Sequence, residues 1–332
     1  MKEKRAFLQN FKPVISKDVN SYKRMNDFLI NWDIECTFQL NQNAFKRNLS
    51  IFSLGNVQFS YFINEGALIY DVTSPLDSTS IAIAKNISDK ASFGTQKLST
   101  GDILIFDDTI KFNFIYNNSL KYYIISIKNK FLREKNLFTF FSSYLNKKVL
   151  DKHLTFSKSL DMFFDKVVQI EELTDTIKTE LEDELLALTT QLLEAKIIIT
   201  PQLTHSEKIS FLLKKEMYEH IDGTMSISSL TEKYDINIRT LQQHFKDLFG
   251  FTPKQLLLLL KLNLAHQDLK NGKKGEITVS RIASKWGFKH FGRFSSYYTN
   301  LFKQSPSSTL ESNFENEIKI STSCVIRNDE MT

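Results

Sequence analysis

The sequence predicts an α+β fold, with a β-barrel or sandwich in the N-terminal part and helices in the rest of its 332 residues. Three observations carry this prediction. Between residues 32 and 130, about eight short alternating segments are separated by turn residues, which is typical of small barrels and sandwiches. From Asn129 onward, apolar residues recur every three to four positions and indicate amphipathic helices. A pattern of two short helices then occurs twice within residues 226–310, and such repetition indicates a duplicated unit.

Residues 1–130 are expected to form the first domain, because a chain of this length exceeds one ordinary domain. A turn is predicted at Asn64-Glu65-Gly66, between two apolar runs. Four aromatic residues of these strands either line a ligand pocket or form plain core: Phe59, Tyr61, Tyr70 and Phe106. The first histidine of the chain is His153, after the last predicted strand. A metal ion held by histidines is therefore not expected in this domain, and no cofactor is predicted.

Residues 131–204 predict a helical segment with an apolar stripe flanked by acidic residues. The stripe consists of Leu181, Leu185, Leu188 and Leu192. It fits either a dimer seam or the core of the segment itself, and the sequence leaves both interpretations open. Pro201 disfavours helix in the residue before it and marks the junction with the next domain.

The two copies of the C-terminal pattern share their landmarks. Apolar side chains recur at i, i+4 and i+8, namely Leu241, Phe245 and Phe249 in the first copy and Phe294, Tyr298 and Phe302 in the second. Tight turns are predicted at residues 235–237 and 286–288, and the copies close on Pro253 and Pro306. Two short helices joined by a tight turn form a helix-turn-helix, whose second helix can enter a DNA major groove. Residues 255–270 predict a helix that connects the copies.

Residues 205–310 resemble the DNA-binding domain of the AraC/XylS family of bacterial transcription regulators. The residues that carry the resemblance are Leu230, Leu241, Phe245, Gly250, Thr252, Pro253, Leu262, Ala265, Leu269, Ile282, Ala283, Gly287, Phe288, Phe294, Tyr298, Phe302, Pro306 and Ser307. Four positions depart from the family pattern. Asp235 and Lys303 stand where glycine is usual, and Lys261 where arginine is usual. Aspartate visits the left-handed region more easily than most residues, so Asp235 is expected to be tolerated. His290 replaces a capping Ser or Asn and is expected to begin its helix less well.

The resemblance implies a domain organisation. AraC-type regulators often carry a cupin-like barrel as effector-binding domain and pair through adjacent helices. Residues 38–40, the strand after Phe45 and residues 101–106 resemble segments of the ethanolamine- and ornithine-utilisation regulators, a subgroup of this family. The chain is accordingly expected to contain a cupin-like sensor domain (1–130), a helical dimerisation and linker segment (131–204), an AraC-type DNA-binding domain (205–310) and a disordered tail (311–332).

DNA sequence is read by side chains on the outer face of each second helix. In the first copy this face is predicted to present Arg239, Gln242, Gln243 and Lys246. In the second copy the predicted DNA-contacting residues are Lys289, Phe291, Gly292, Arg293, Ser295 and Ser296. Arginine suits guanine, glutamine suits adenine and lysine suits phosphate. The first copy is therefore expected to carry more of the base readout, and the second to rely on phosphates and DNA shape.

The charge distribution fits a nucleic-acid partner. Residues 205–310 contain sixteen Lys/Arg and nine Asp/Glu, whereas residues 151–204 contain five and eleven. A locally basic surface favours phosphate binding. The two cysteines, Cys36 and Cys324, lie far apart and predict neither a disulfide framework nor a metal site, which favours the reducing cytoplasm. The longest apolar run, residues 256–260, is too short to span a bilayer.

The sequence thus predicts a sequence-specific DNA-binding transcription regulator, controlled by a small-molecule effector or by dimerisation, and not an enzyme. Its expected partners are double-stranded DNA, RNA polymerase, a small-molecule effector and a second copy of the chain, with no membrane. One alternative is an architectural DNA-binding protein without effector control. Another is a DNA alkyl-repair enzyme, which would need a nucleophilic cysteine with supporting residues; Cys36 has no neighbouring histidine.

Overall fold

The computed structural model describes residues 14–19, 32–42, 46–145, 147–151, 154–194, 198–199, 203–222, 224–272 and 277–311. The chain divides into two compact units. The first comprises residues 1–34, 44–66 and 70–202, and the second comprises residues 35–43, 67–69 and 203–332. The tail predicted to be disordered lies outside the described residues from residue 312 onward.

The strands of the described residues form two sheets. They are β1 (Val14–Val19), β2 (Asp33–Gln39), β3 (Lys46–Ser53), β4 (Val57–Glu65), β5 (Leu68–Thr73), β6 (Ser78–Ile87), β7 (Ala91–Phe93), β8 (Gln96–Leu98), β9 (Asp102–Asp107), β10 (Phe112–Tyr116), β11 (Leu120–Lys128), β12 (Lys148–Leu150) and β13 (Ile198–Ile199). The larger sheet has the order β1-β3-β4-β11-β6-β9-β12-β13, and the smaller sheet has the order β2-β5-β10-β7-β8. The predicted β-barrel or sandwich is therefore present as a two-sheet structure.

Strand β11 lies at the centre of the larger sheet, antiparallel to both β4 and β6. Its polar residue Ser126 is buried, and its hydroxyl lies 2.8 Å from that of Ser80 on β6, so neither polar group is left unsatisfied. Successive side chains of a strand point to opposite faces. Phe59 on β4 accordingly meets Phe163 of a helix, with ring centroids 5.1 Å apart, whereas Phe62 stacks on Tyr122 of β11 at 4.7 Å.

Four helices of the described residues belong to the first unit: α1 (Asn129–Glu134), α2 (Phe138–Ser142), α3 (Thr155–Val168) and α4 (Asp175–Glu194). They contribute to one core together with the larger sheet. Three leucines of the predicted stripe, Leu181, Leu185 and Leu192, are buried in this core. Glu182 is buried beside them and accepts hydrogen bonds from the backbone N–H groups of Asn56 and Val57. These three leucines therefore belong to the core of the unit, as one of the two interpretations predicted, and are not available to a dimer seam.

Two short strands interrupt the region predicted to be helical throughout. Strand β12 pairs with β9 and with β13, both antiparallel. The buried central residue of β12, Val149, is the register partner of Ile103 on β9 and of Ile198 on β13. Strands of two or three residues are too short to show a period of two, and their pairing partners lie far away in sequence.

In the second unit the structure describes seven helices: α5 (His205–Glu219), α6 (Ile227–Lys233), α7 (Ile238–Phe249), α8 (Pro253–Asn271), α9 (Val279–Lys285), α10 (Phe291–Phe302) and α11 (Pro306–Glu311). The unit also takes in residues 35–43. Asn263 of α8 accepts a hydrogen bond from the backbone nitrogen of Gln39 at 2.9 Å and donates one to its carbonyl oxygen at 2.7 Å. Among the described helices of the whole chain, none is both long and apolar enough to cross a membrane.

Candidate nucleic-acid interface

The first helix-turn-helix is held in place by a carboxylate on the helix that precedes it. Glu216 of α5 accepts hydrogen bonds from Lys233 Nζ and from the Tyr234 hydroxyl, each at 2.7 Å. These two residues end α6 and begin the turn. Although partial burial opposes ionisation, hydrogen bonds from Lys233 and Tyr234 lower the pKa of Glu216. The carboxylate thereby fixes the point where the chain turns from α6 towards α7.

The second helix-turn-helix repeats this arrangement. Asp268 of α8 accepts hydrogen bonds from Lys285 Nζ at 2.8 Å and from the Trp286 indole at 2.7 Å. The acid precedes its lysine by 17 residues and its aromatic partner by 18 residues, as Glu216 does in the first copy. The duplicated unit therefore has three helices, α5–α7 and α8–α10, and not two.

The helices α7 and α10 are positioned by their buried faces. Leu241 and Phe245 of α7 and Phe294 and Tyr298 of α10 are fully buried, as the repeated spacing predicted. The connecting helix α8 contacts α7, α9 and α11. It begins at Pro253 behind a capping box, and its apolar residues include Leu256, Leu260 and Ala265 in the core. The two exposed helices are thus attached to one continuous scaffold.

The outer face of α7 carries the predicted reading residues. Arg239, Gln242, Gln243 and Lys246 are all exposed. The Gln243 amide nitrogen donates to Asp247 at 3.0 Å from Oδ1 and 3.1 Å from Oδ2. This face offers two cationic groups and two amides to a partner, which is a suitable set for phosphate and base-edge contacts.

The outer face of α10 is poorer in long polar side chains. Lys289, Phe291, Gly292, Arg293 and Ser296 are exposed, and Ser295 is half-buried. A β-carbon added to Gly292 would meet no atom within 4 Å, so the protein itself leaves open space at this position. The surface of α10 therefore offers fewer hydrogen-bonding groups for base readout than that of α7.

Comparisons with known proteins agree with this geometry. Residues 230–312 match the family model described as a helix-turn-helix domain. Over 91 residues the chain is 31% identical to the "probable thc operon regulatory protein" of Rhodococcus erythropolis, covering 27% of this chain and 27% of that protein. Over 123 residues it is 28% identical to the "HTH-type transcriptional activator RhaS" of Escherichia coli (strain SE11), covering 37% of this chain and 43% of that protein. The helical domain belongs to the AraC/XylS family.

These alignments cover less than half the length of the two curated relatives. A solved structure, that of the AraC-like transcriptional activator CuxR, is similar to the chain with a TM-score of 0.42 and 9% identity, covering 77% of this chain and 96% of that chain.

Two residues of this AraC-type domain that depart from the family pattern, Asp235 and Lys303, adopt the left-handed backbone conformation that glycine adopts in the other copy. In the two turns, Asp235 has a φ of 46° and Gly287 a φ of 78°. After the two exposed helices, Gly250 has a φ of 76° and Lys303 a φ of 57°. All four positions are left-handed, so the expectation that glycine suits these positions is confirmed, and Lys303 carries backbone strain.

The N-termini of α7 and α10 differ as expected. The Asn237 side chain accepts hydrogen bonds from the backbone nitrogens of Arg239 and Thr240, whereas His290 makes no side-chain cap hydrogen bond to α10. Lys261, at the position where arginine is usual, donates to the carbonyl oxygen of Met225 at 3.1 Å, and burial lowers its pKa. In the AraC-type domain this lysine therefore ties α8 to the segment before α6.

Sequence reasoning missed three polar residues of the AraC-type domain. Glu216 and Asp268 were detectable, because an acid at the same distance precedes a Lys-aromatic pair in both copies. Asp247 was detectable from its i, i+4 spacing to Gln243 on a predicted helix.

The first unit contains a cavity of about 60 Å³ between its two sheets. Its aromatic lining residues are Trp32, Phe62, Tyr70, Phe93, Phe106, Phe114 and Tyr122. Two of the four aromatic residues singled out from the sequence, Tyr70 and Phe106, line this cavity. Phe59 and Tyr61 instead face α3, where their rings contact Phe163 and Phe164. The four residues therefore divide between a pocket wall and plain core.

The polar residues at this cavity are few. Asp102 lines it, and burial raises the pKa of this carboxyl although Lys148 Nζ lies 3.0 Å away. Among the described residues, no group of three or more His, Cys, Asp or Glu side chains is arranged to hold a metal ion.

Proposed function

We propose that the chain is a sequence-specific DNA-binding transcription regulator whose helices α7 and α10 enter successive major-groove segments on one face of the duplex. The observation that carries this proposal is the duplicated three-helix unit, which presents two exposed helices from one scaffold. Helix α8 has 19 residues, about 28 Å at 1.5 Å per residue. This length is comparable with the roughly 34 Å between successive major-groove faces.

The two helices contribute differently to binding in this proposal. Arg239, Gln242 and Gln243 on α7 read base edges, while Lys246 contacts phosphate. On α10, Lys289 and Arg293 supply phosphate contacts, and Gly292 adds no side chain to the surface that faces DNA. Phosphate contacts give affinity that falls with salt, and base contacts give specificity.

The test compares two variants of the full chain on two DNAs. A preferred site is first selected from a randomised duplex library. Gln243→Ala is expected to weaken binding to that site by roughly 1–3 kcal/mol more than binding to random DNA. Lys246→Ala is expected to weaken both alike and to reduce the salt dependence by about one counterion. Equal losses on both DNAs for Gln243→Ala would remove Gln243 from the reading face.

We propose that a small, largely apolar effector binds the cavity of the first unit. The aromatic lining supports this proposal, because ligand pockets are lined mainly by apolar and aromatic residues with few polar groups. Trp32 is in the lining, so in a Trp286→Phe variant its fluorescence reports ligand entry. Ala84→Leu should fill the cavity and abolish the fluorescence change. Ligand binding that persists in this variant would move the site elsewhere.

RNA polymerase and a second copy of the chain complete the proposed partners. A second copy would raise affinity through effective concentration, since one protomer contacts only two groove segments. Its seam cannot be the buried leucine stripe, and sedimentation of the full chain with and without selected DNA tests whether a dimer forms. An architectural role remains the competing function, and genome-wide occupancy separates it: few discrete sites support a regulator, and broad coverage supports architecture.

A further inference from the structure

Gln243 on α7 is held in one orientation by its neighbour Asp247. Its amide nitrogen lies 3.0 Å and 3.1 Å from the two carboxylate oxygens. An ionised carboxylate accepts hydrogen bonds and donates none, so the nitrogen of the amide must face Asp247. The carbonyl oxygen of Gln243 consequently points away from Asp247, towards the open face of the helix.

This orientation matters because a glutamine amide can read different bases with its two ends. In the major groove, adenine and cytosine present an exocyclic amino group, whereas guanine and thymine present acceptors. An outward carbonyl oxygen accepts from an amino group and is repelled by an acceptor. An unrestrained glutamine could rotate its amide and donate to guanine or thymine as well.

We infer that Asp247 is a specificity-determining positioning residue, which restricts Gln243 to contacted bases that carry an amino group, adenine or cytosine. The inference rests on the proposed function, in which Gln243 reaches a base edge. Asp247 itself lies four residues, about 6 Å along the helix axis, farther towards the C-terminus of α7. It thus acts through Gln243, because the N-terminal part of a recognition helix lies deepest among the bases.

The second copy has no glutamine–aspartate pair at the corresponding positions. Counted from the closing phenylalanine of each helix, Ser296 and Asn300 of α10 correspond to Gln243 and Asp247 of α7. A serine side chain is too short to span one helical turn to a partner and still reach a base. The restriction therefore applies to one base pair in the site bound by the first copy.

The experiment first determines the base preferences of the full chain by selection from a randomised duplex library. It then measures the affinity of the chain for four duplexes that differ only in the base pair at the position read by Gln243. Gln243→Ala identifies this position by the loss of its preference. Asp247→Asn keeps the shape of the partner but can pair with either end of the glutamine amide. Asp247→Glu keeps an acceptor-only carboxylate and serves as the conservative rescue. Glu232→Gln, an exposed acid on α6, controls for the loss of one negative charge.

The wild-type chain is expected to prefer adenine or cytosine over guanine or thymine at this position by at least about fivefold. Asp247→Asn should reduce the preference to about twofold or less, while Asp247→Glu retains most of it. Glu232→Gln should raise affinity for all sequences alike.

Three results overturn the inference. The first is an Asp247→Asn variant that behaves as Glu232→Gln does, with unchanged base preferences. The second is a Gln243→Ala variant that alters no position, which removes Gln243 from the reading face but leaves the chain a sequence-specific DNA-binding regulator. The third is a wild-type chain that enriches no sequence, which removes the proposed function as well.

Discussion

Lys303 is the position where a single substitution should stabilise the second unit. It follows α10 with a φ of 57° and a ψ of 20°, whereas Gly250 follows α7 with a φ of 76° and a ψ of 0°. A residue with a β-carbon loses about 1–2 kcal/mol in this left-handed region. Glycine avoids that strain but adds about 0.4–1 kcal/mol of chain entropy to the unfolded state.

Lys303→Gly also removes a hydrogen bond, since Lys303 Nζ donates to Gln42 Oε1 at 2.8 Å. This bond is exposed, so its loss costs about 0.5 kcal/mol at most. The balance is a gain of about 0.5 kcal/mol for Lys303→Gly. The reciprocal change, Gly250→Lys, should cost roughly 0.5–1 kcal/mol, because the added backbone strain exceeds the entropy that lysine removes from the unfolded state.

Urea unfolding of the full chain measures both changes. The sequence contains two tryptophans, Trp32 in the first unit and Trp286 in the second. In a Trp32→Phe background, fluorescence therefore reports the second unit alone. The midpoint should rise for Lys303→Gly and fall for Gly250→Lys, with equal slopes. A lower midpoint for Lys303→Gly, or an unchanged one for Gly250→Lys, would refute the argument from backbone strain.

Three further predictions follow from burial, charge and the repeat. Leu185→Glu places a charge in the core of the first unit and should unfold it at a cost of several kcal/mol, whereas Met162→Glu, at a side chain that is 74% exposed, should leave far-UV circular dichroism unchanged. The pKa of Glu216 is lowered from 4.5 in the folded state, so its contribution to stability is present above pH 4.5 and is lost as pH falls through the lower folded value; Glu216→Gln should flatten this acid limb of the stability curve. Gly292→Arg copies Arg239 into the open space on α10 and should raise affinity for all DNA sequences and steepen the salt dependence by about one counterion, as measured by titration at several salt concentrations.

The sequence predicted the helical unit well because its signals are local. The i, i+4, i+8 spacing identified the buried faces of α7 and α10, and the landmark residues identified turns whose backbone is left-handed at Asp235 and Lys303. Turn geometry and helix faces depend on residues a few positions apart. Such features can be derived from a single sequence.

The first unit was harder because its ambiguities concern what covers an apolar face. The stripe containing Leu185 indicated a covered face correctly, but periodicity cannot say whether the cover is the same chain or another copy. Likewise Phe59 and Phe62 both lie at apolar positions of β4. Only the strand pairing shows that Phe59 faces α3 and that Phe62 faces the cavity. Contacts between segments far apart in sequence decided both questions.

The duplication separates the scaffold of the AraC-type domain from its reading surface. The carboxylate that holds the turn recurs with its spacing, as Glu216 and Asp268, and the buried aromatic residues recur as well. The exposed residues do not recur, since α7 carries Arg239 and Gln243 where α10 carries Gly292 and Ser296. The orientation of each exposed helix is therefore set by contacts that recur in both copies. Base choice is set by exposed residues that take no part in those contacts.

A transfer of residues between the copies tests this separation. Placing the α7 residues into α10, as Gly292→Arg with Ser295→Gln and Ser296→Gln, should leave the fold unchanged because all three positions are exposed or half-buried. The base preferences of the second half of the selected site should then approach those of the first half, measured by selection from a library randomised in that half only. If the preferences of the first half changed instead, the two exposed helices would not read separate segments of DNA, and α8 would not act as the spacer between them.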